Sequence, residues 1–210
     1  ATCPFCISAL TWHPDEHGND KLLDNLDKAL NFAKYHNVDT VLITGSGEPT
    51  LNKNLIQIIQ QIYQSGIPKI ELQTNGTQIY DNDQIEIMRN QGLTHISLSI
   101  ASTNVQNNNK IMGLNENFNY INFIQKSNNL DIITRISINI IANEWTNNKN
   151  IKQTFNNWCQ NLYDVGAKQL TIREVGIPKK PINNIEKSKQ ILQFTSENQK
   201  LEKKYHIISN

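Results

Sequence analysis

A chain of 210 residues, 38% hydrophobic and 19% charged, can bury one substantial core but is too short for two ordinary enzyme domains, so a single domain over 1–210 is expected. With 20 Lys and Arg against 19 Asp and Glu, the formal net charge of +1 leaves no basic surplus for non-specific nucleic-acid binding by counterion release. No run of about 18 apolar residues offers a membrane span, and the first residues lack the pattern of a signal peptide; the expected setting is soluble and cytoplasmic, with no membrane partner.

Taken in chain order, the first regular element is a helix opening near Asp20, because Leu22, Leu23, Leu26, Leu30 and Ala33 recur every three or four residues. A strand follows over Thr40 to Thr44, then a helix striped by Leu55, Ile58, Ile59 and Ile62 and stopped by Gly66. Lys69 to Thr74 reads as the second strand, Gly92 as the stop of another helix, and His95 to Ile100 as the third strand. Ile132 to Ile140 makes a fourth. Ile151, Phe155, Trp158, Cys159 and Leu162 stripe the next helix, Lys168 to Arg173 gives a fifth strand, and Lys187 to Lys204 a closing helix within about 185–204. Strands alternating with helices predict an α/β fold with a parallel sheet.

The strands alternate in a way that bears on function. Ile96, Leu98, Ile100, Ile136, Ile138, Ile140, Leu170 and Ile172 fall on one face and are expected to pack under helices. The opposite face holds Glu71, Gln73, Ser97, Ser99, Arg135, Ser137, Asn139, Thr171 and Arg173. Parallel strands covered on both sides read as continuous apolar runs, so a polar second face predicts a sheet curled around a wet or ligand-filled lumen. The alternative is an open sheet with one solvated face.

Two motifs can carry chemistry. Three cysteines cannot build a disulfide scaffold, and Cys3-Pro4-Phe5-Cys6 has the spacing that lets two thiolates meet one zinc or iron-sulfur site. A thiol redox pair is the alternative, although that motif expects a helix opening at it. The second motif is Thr44-Gly45-Ser46-Gly47-Glu48-Pro49-Thr50-Leu51, directly after the first strand. Its glycines permit close approach of backbone to ligand. Glu48 brings a carboxylate to the carboxyl end of the sheet, where parallel α/β folds bind ligands, and suits an ammonium better than a phosphate. The bland alternative is a tight turn with a solvated Glu.

Together these residues resemble the radical S-adenosylmethionine (radical SAM) superfamily. Cys3-Pro4-Phe5-Cys6 matches the end of its C-x3-C-x2-C cluster motif, with Phe5 as the aromatic residue before the last Cys. Ser46-Gly47-Glu48-Pro49 matches its Gly-Gly-Glu-Pro-like turn, with Ser in place of the first Gly. Leu72-Gln73-Thr74-Asn75-Gly76 and Ser97-Leu98-Ser99-Ile100-Ala101-Ser102 continue the likeness, which extends to about Lys180. Thr171-Ile172-Arg173-Glu174-Val175-Gly176-Ile177-Pro178 resembles the molybdopterin-precursor cyclase branch over a short stretch.

The resemblance implies a (β/α)6 partial TIM barrel whose first strand is missing from this chain, a cluster loop at 1–19, and a first cluster Cys two positions before Ala1. It implies a [4Fe-4S] cluster on Cys3 and Cys6, and SAM held by Phe5, Ser46, Gly47, Glu48, Pro49, Asn75, Ser99, Arg135 and Asn139. Reductive cleavage of SAM would give a 5′-deoxyadenosyl radical that abstracts hydrogen from a substrate, with flavodoxin or ferredoxin as electron donor. Arg135 is the candidate for the methionine carboxylate; an internal ion pair with Glu71 on the same face is the alternative. Ala101 stands where many members have Asp, so a carboxylate contact there is lost. Arg173 and Glu174 at the rim are candidates for substrate or for a rim salt bridge, and Lys179 and Lys180 read as solvated. Trp12, His13 and His17 are candidates for a lid or a substrate contact, Cys159 reads as a core thiol, and no downstream Cys cluster provides an auxiliary iron-sulfur site. Three rivals stand beside this reading: a zinc-bound module, a thiol-disulfide oxidoreductase, and an inactive barrel used for binding.

Overall fold

The computed structural model describes Cys3, Cys6 and residues 20–45, 47–80, 83–140 and 150–174. The elements are α1 (Asp20–Tyr35), β1 (Thr40–Ile43), a 3-10 turn (Pro49–Leu51), α2 (Leu55–Gln64), β2 (Lys69–Thr74), α3 (Gln84–Asn90), β3 (His95–Ile100), α4 (Val105–Met112), α5 (Tyr120–Asn129), β4 (Ile133–Ile140), α6 (Ile151–Asp164) and β5 (Ala167–Glu174). The five strands pair in the order β1-β2-β3-β4-β5, all parallel. Sequential order with right-handed crossovers, the rule for such units, puts the helices on one face and leaves the other to curl inward. This is the α/β partial barrel that the alternation predicts.

Apolar alternation builds the helix-covered face. Ile70, Leu72, Ile96, Leu98, Ile100, Ile136 and Ile138 are fully buried there with Ile59, Ile62, Ile85, Leu93, Phe123 and Ile124. Each such side chain contributes roughly 1.5–3 kcal/mol by leaving water. Helices α4 and α5 form despite their Asn-rich sequences because asparagines cap them. The Asn104 side chain accepts from Asn107 N, the Asn119 side chain accepts from Ile121 N and Asn122 N, and Gly113 closes α4 in the left-handed region. Gly92 is required at the end of α3: its φ is +110, and a Cβ there would lie 2.5 Å from the Tyr63 ring.

Among the described strands β5 stands last in the sheet, which modifies its predicted packing. Leu170 and Ile172 share the face of Ile136 and Ile138 yet remain 36% and 47% exposed, against the expectation that they pack under helices. Each crossover helix covers the groove between the strands it joins, so a strand with one neighbour receives half the cover. On the inner face, the register sets Glu71 beside His95, and Gln73, Ser97 and Arg135 side by side one step further along. Above them lie Ser99, Ser137 and Thr171, then Asn139 and Arg173. Ser97 is 0% exposed and Ser137 is buried as well. The centre of the polar face is therefore not solvated, which disfavours the open sheet with one wet face. The closing helix at about 185–204, Lys179 and Lys180 lie outside the described residues.

Candidate active site at the carboxyl ends of the strands

The turn after β1 is built around Glu48. Its carboxylate caps the 3-10 turn: Oε1 accepts from Thr50 N at 3.2 Å and from Thr50 Oγ1 at 2.7 Å. The same carboxylate reaches the end of β2, where Oε1 accepts from Thr74 Oγ1 at 2.6 Å and Oε2 from Asn75 N at 3.0 Å. Among the described residues Oε1 thus has three donors and Oε2 one. A carboxylate offers about four lone-pair sites, two on each oxygen, so Oε2 keeps room for a further donor. Glu48 is half-buried, within reach of a ligand. The solvated Glu of the bland alternative is not what the structure shows.

Behind this contact the backbone turns sharply. Thr74 Oγ1 accepts from Gly76 N at 2.9 Å while it donates to Glu48, and Asn75 Oδ1 accepts from Thr77 N and Thr77 Oγ1. Asn75, predicted as a ligand residue, therefore spends its side-chain oxygen on the turn and offers its amide N–H to Glu48. Gly76 has φ +82, and an added Cβ would lie 2.9 Å from Leu98 Cδ1.

The cysteine pair lies beyond the end of the third strand. Cys6 N donates to Cys3 O at 3.1 Å, closing a turn, and Cys3 packs against buried Ala101, just after β3, and Met112, at the end of α4. Ala101 is itself held: its N–H donates to Asn108 Oδ1 at 2.8 Å, and Asn109 Nδ2 donates to Phe118 O at 2.6 Å. Two thiol-bearing residues on one turn at this rim fit as part of the ligand set of an iron-sulfur cluster. Among the described residues no group of three or more His, Cys, Asp or Glu gathers, so a four-ligand zinc site is not completed there. Cys159 sits on α6 against the core, where burial pushes its thiol pKa up, in keeping with a core thiol.

Ser99 and Asn139 lie half-buried in the upper layers of the inner face, beside Arg173. Arg135 lies lower, and its Nη2 is 2.5 Å from Glu71 Oε1. The charge expected to meet a methionine carboxylate is thus engaged by the internal ion pair that was the alternative. Its Nε and the nearby Ser97 Oγ are buried without a hydrogen-bond partner among the described residues. His95 lies next to Glu71; burial, reinforced by Lys69 and Arg135 and opposed by Glu71, lowers its pKa below the ordinary imidazole value. Gly47 and Pro49 stand on either side of Glu48 as the motif requires. Phe5, Ser46, Trp12, His13 and His17 lie outside the described residues. Thr50 and Thr74 were missed as site residues, although both stand inside quoted motifs; a hydroxyl two positions after the predicted ligand carboxylate was the available signal for Thr50, whereas Thr74 comes to Glu48 only through strand pairing.

No described helix is long and apolar enough to cross a membrane. Among curated proteins, the chain is 37% identical over 87 residues to GTP 3′,8-cyclase of Aquifex aeolicus, covering 41% of this chain and 26% of that one. It is 25% identical over 166 residues to a probable GTP 3′,8-cyclase of Saccharolobus solfataricus, covering 78% and 52%. The chain thus spans about half or less of the length of these relatives. Among solved structures it is similar to a domain of pyruvate-formate lyase-activating enzyme from Bacteroides vulgatus, with a TM-score of 0.49, 17% identity, and coverage of 75% of this chain and 92% of that one. Residues 1–190 match the family described as the Radical SAM superfamily, nearly the whole of the 210. The chain belongs to the radical SAM superfamily, whose members are enzymes that use a [4Fe-4S] cluster and S-adenosylmethionine.

Proposed function

We propose that this chain forms the core of an enzyme that reductively cleaves SAM, with Cys3 and Cys6 among the cluster ligands and Glu48 receiving the methionine ammonium. The observation that carries the reading is the Glu48 carboxylate itself. It is fixed between two strand ends by Thr50, Thr74 and Asn75, with one acceptor position left on Oε2. When bound and reduced, the cluster supplies one electron to the sulfonium of SAM, releasing methionine and a 5′-deoxyadenosyl radical that takes hydrogen from substrate. The chain's own groups bind and orient. Ala101 and Met112 wall the cysteine turn, Gly47 admits the ligand close to the backbone, and Ser99 and Asn139 offer hydrogen bonds from the inner face to the ribose or adenine. Arg135 holds Glu71 rather than the ligand. A flavodoxin or ferredoxin is the proposed electron donor.

The relatives named GTP 3′,8-cyclase make GTP the first substrate to test. The experiment is anaerobic reconstitution of the full-length protein, reduction with dithionite, and chromatographic detection of 5′-deoxyadenosine with and without GTP. SAM-dependent 5′-deoxyadenosine is expected, with GTP consumed alongside it. Equal product from Cys3→Ala and Cys6→Ala variants would overturn the reading.

A further inference from the structure

We infer that the hydroxyls of Thr50 and Thr74 are positioning groups that saturate Oε1 of Glu48 and so direct Oε2 to a cationic N–H of the ligand. The inference rests on the proposed SAM site and concerns how its carboxylate is aimed. A carboxylate is symmetric, and a single hydrogen bond would let it rotate about its last torsion and exchange its oxygens. Here three donors converge on one oxygen: Thr50 N at 3.2 Å, Thr50 Oγ1 at 2.7 Å and Thr74 Oγ1 at 2.6 Å. Among the described residues the other oxygen receives Asn75 N alone. Rotation that exchanged the two oxygens would have to break contacts to both strand ends together.

Thr74 has the stronger leverage because its hydroxyl hydrogen has only one good use. Its oxygen accepts from Gly76 N at 2.9 Å, which turns the proton toward Glu48 Oε1. Thr74 is buried, so water does not compete for that donor. The residues therefore act through Glu48 on a ligand neither needs to touch, and their effect should be confined to ligands that carry an ammonium.

The test uses calorimetry on the cluster-loaded, full-length protein with two probes: SAM, and 5′-deoxyadenosine, which keeps the adenosine and lacks the methionine ammonium. Thr74→Val is expected to weaken SAM roughly threefold to tenfold, the range for a hydrogen bond coupled to a charged contact, and to leave 5′-deoxyadenosine within about twofold. Thr74→Ser, which keeps the hydroxyl, restores SAM affinity. In a Glu48→Gln background Thr74→Val costs nothing further. If Thr74→Val does not fold, Thr50→Val removes the other hydroxyl on the same oxygen and is expected to show the same ligand-selective loss. Equal weakening of both probes, no weakening of SAM, or a loss that persists without the Glu48 carboxylate would overturn the inference while wild-type SAM binding left the functional reading standing. Failure of the wild type to bind SAM would remove that reading and the inference with it.

Discussion

Arg135 on β4 and Glu71 on β2 face each other across β3, with Nη2 and Oε1 2.5 Å apart on the inner face of the sheet. The pair joins two strands that are not neighbours, so it braces the curl of the sheet rather than a single ladder. Both side chains are largely withdrawn from water, so removing one partner leaves a charge without compensation. Arg135→Met is expected to lower stability by about 2 kcal/mol, and Arg135→Met with Glu71→Leu to recover most of it. Urea denaturation measures both, and double-mutant additivity would show that the pair is not coupled. SAM affinity in Arg135→Lys should stay within about twofold, because the guanidinium serves Glu71.

The three cysteines should separate by location. Cys3→Ala and Cys6→Ala are expected to lose most of the iron and sulfide incorporated on reconstitution, together with 5′-deoxyadenosine formation. Cys159→Ala should keep the iron, since its thiol lies on α6 against the core with a raised pKa. Iron and sulfide assays on the three variants decide this; loss of iron in Cys159→Ala would make it a ligand.

His95 makes stability depend on pH with a defined sign. Its folded pKa lies below the ordinary value of 6.5, chiefly through burial, so below that pH the unfolded chain binds more protons than the folded one. The contribution is present in full above 6.5 and is lost as pH falls through the folded pKa. The melting temperature of the wild type should therefore drop from pH 7 toward pH 5 more steeply than that of His95→Gln, in parallel thermal scans. Identical slopes would assign the pH dependence to other groups.

Gly76→Ala tests the turn behind the Glu48 site. The left-handed φ of +82 and the 2.9 Å approach to Leu98 Cδ1 act together, and the expected cost is about 2 kcal/mol. Denaturant unfolding measures the loss. Gly47→Ala, where an added Cβ meets nothing within 4 Å, should cost little in folding and is the control.

The strand and helix order was legible because each element carries its own period. Ile96, Leu98 and Ile100 mark a strand within six residues, and Leu55, Ile58, Ile59 and Ile62 mark a helix, whatever surrounds them. Helix α4 was not legible by that route, because its apolar positions are sparse and what forms it is capping by Asn104 together with burial of Asn108 and Asn109. Helix α5 was not read although Tyr120, Phe123 and Ile124 stand at helical spacing and are fully buried, behind the Asn119 cap.

For the site, sequence alone determined the candidate residue types: a cysteine pair of cluster spacing, a carboxylate in a Gly-Pro turn after a strand, and a polar inner face. Those are local patterns, and local patterns survive without coordinates. Only the tertiary structure decided the partners. Glu48 meets Thr74 and Asn75 because β1 and β2 are adjacent and parallel, so that their carboxyl ends coincide. Arg135 meets Glu71 because the register of three strands brings the two inner-face positions within reach of each other. Leu170 and Ile172 remain exposed because β5 is last in the order of the described strands, a property of strand order and not of the residues themselves. Hydrogen-bond and ion-pair partners are chosen by contacts distant in sequence, and neither composition nor periodicity encodes them residue by residue.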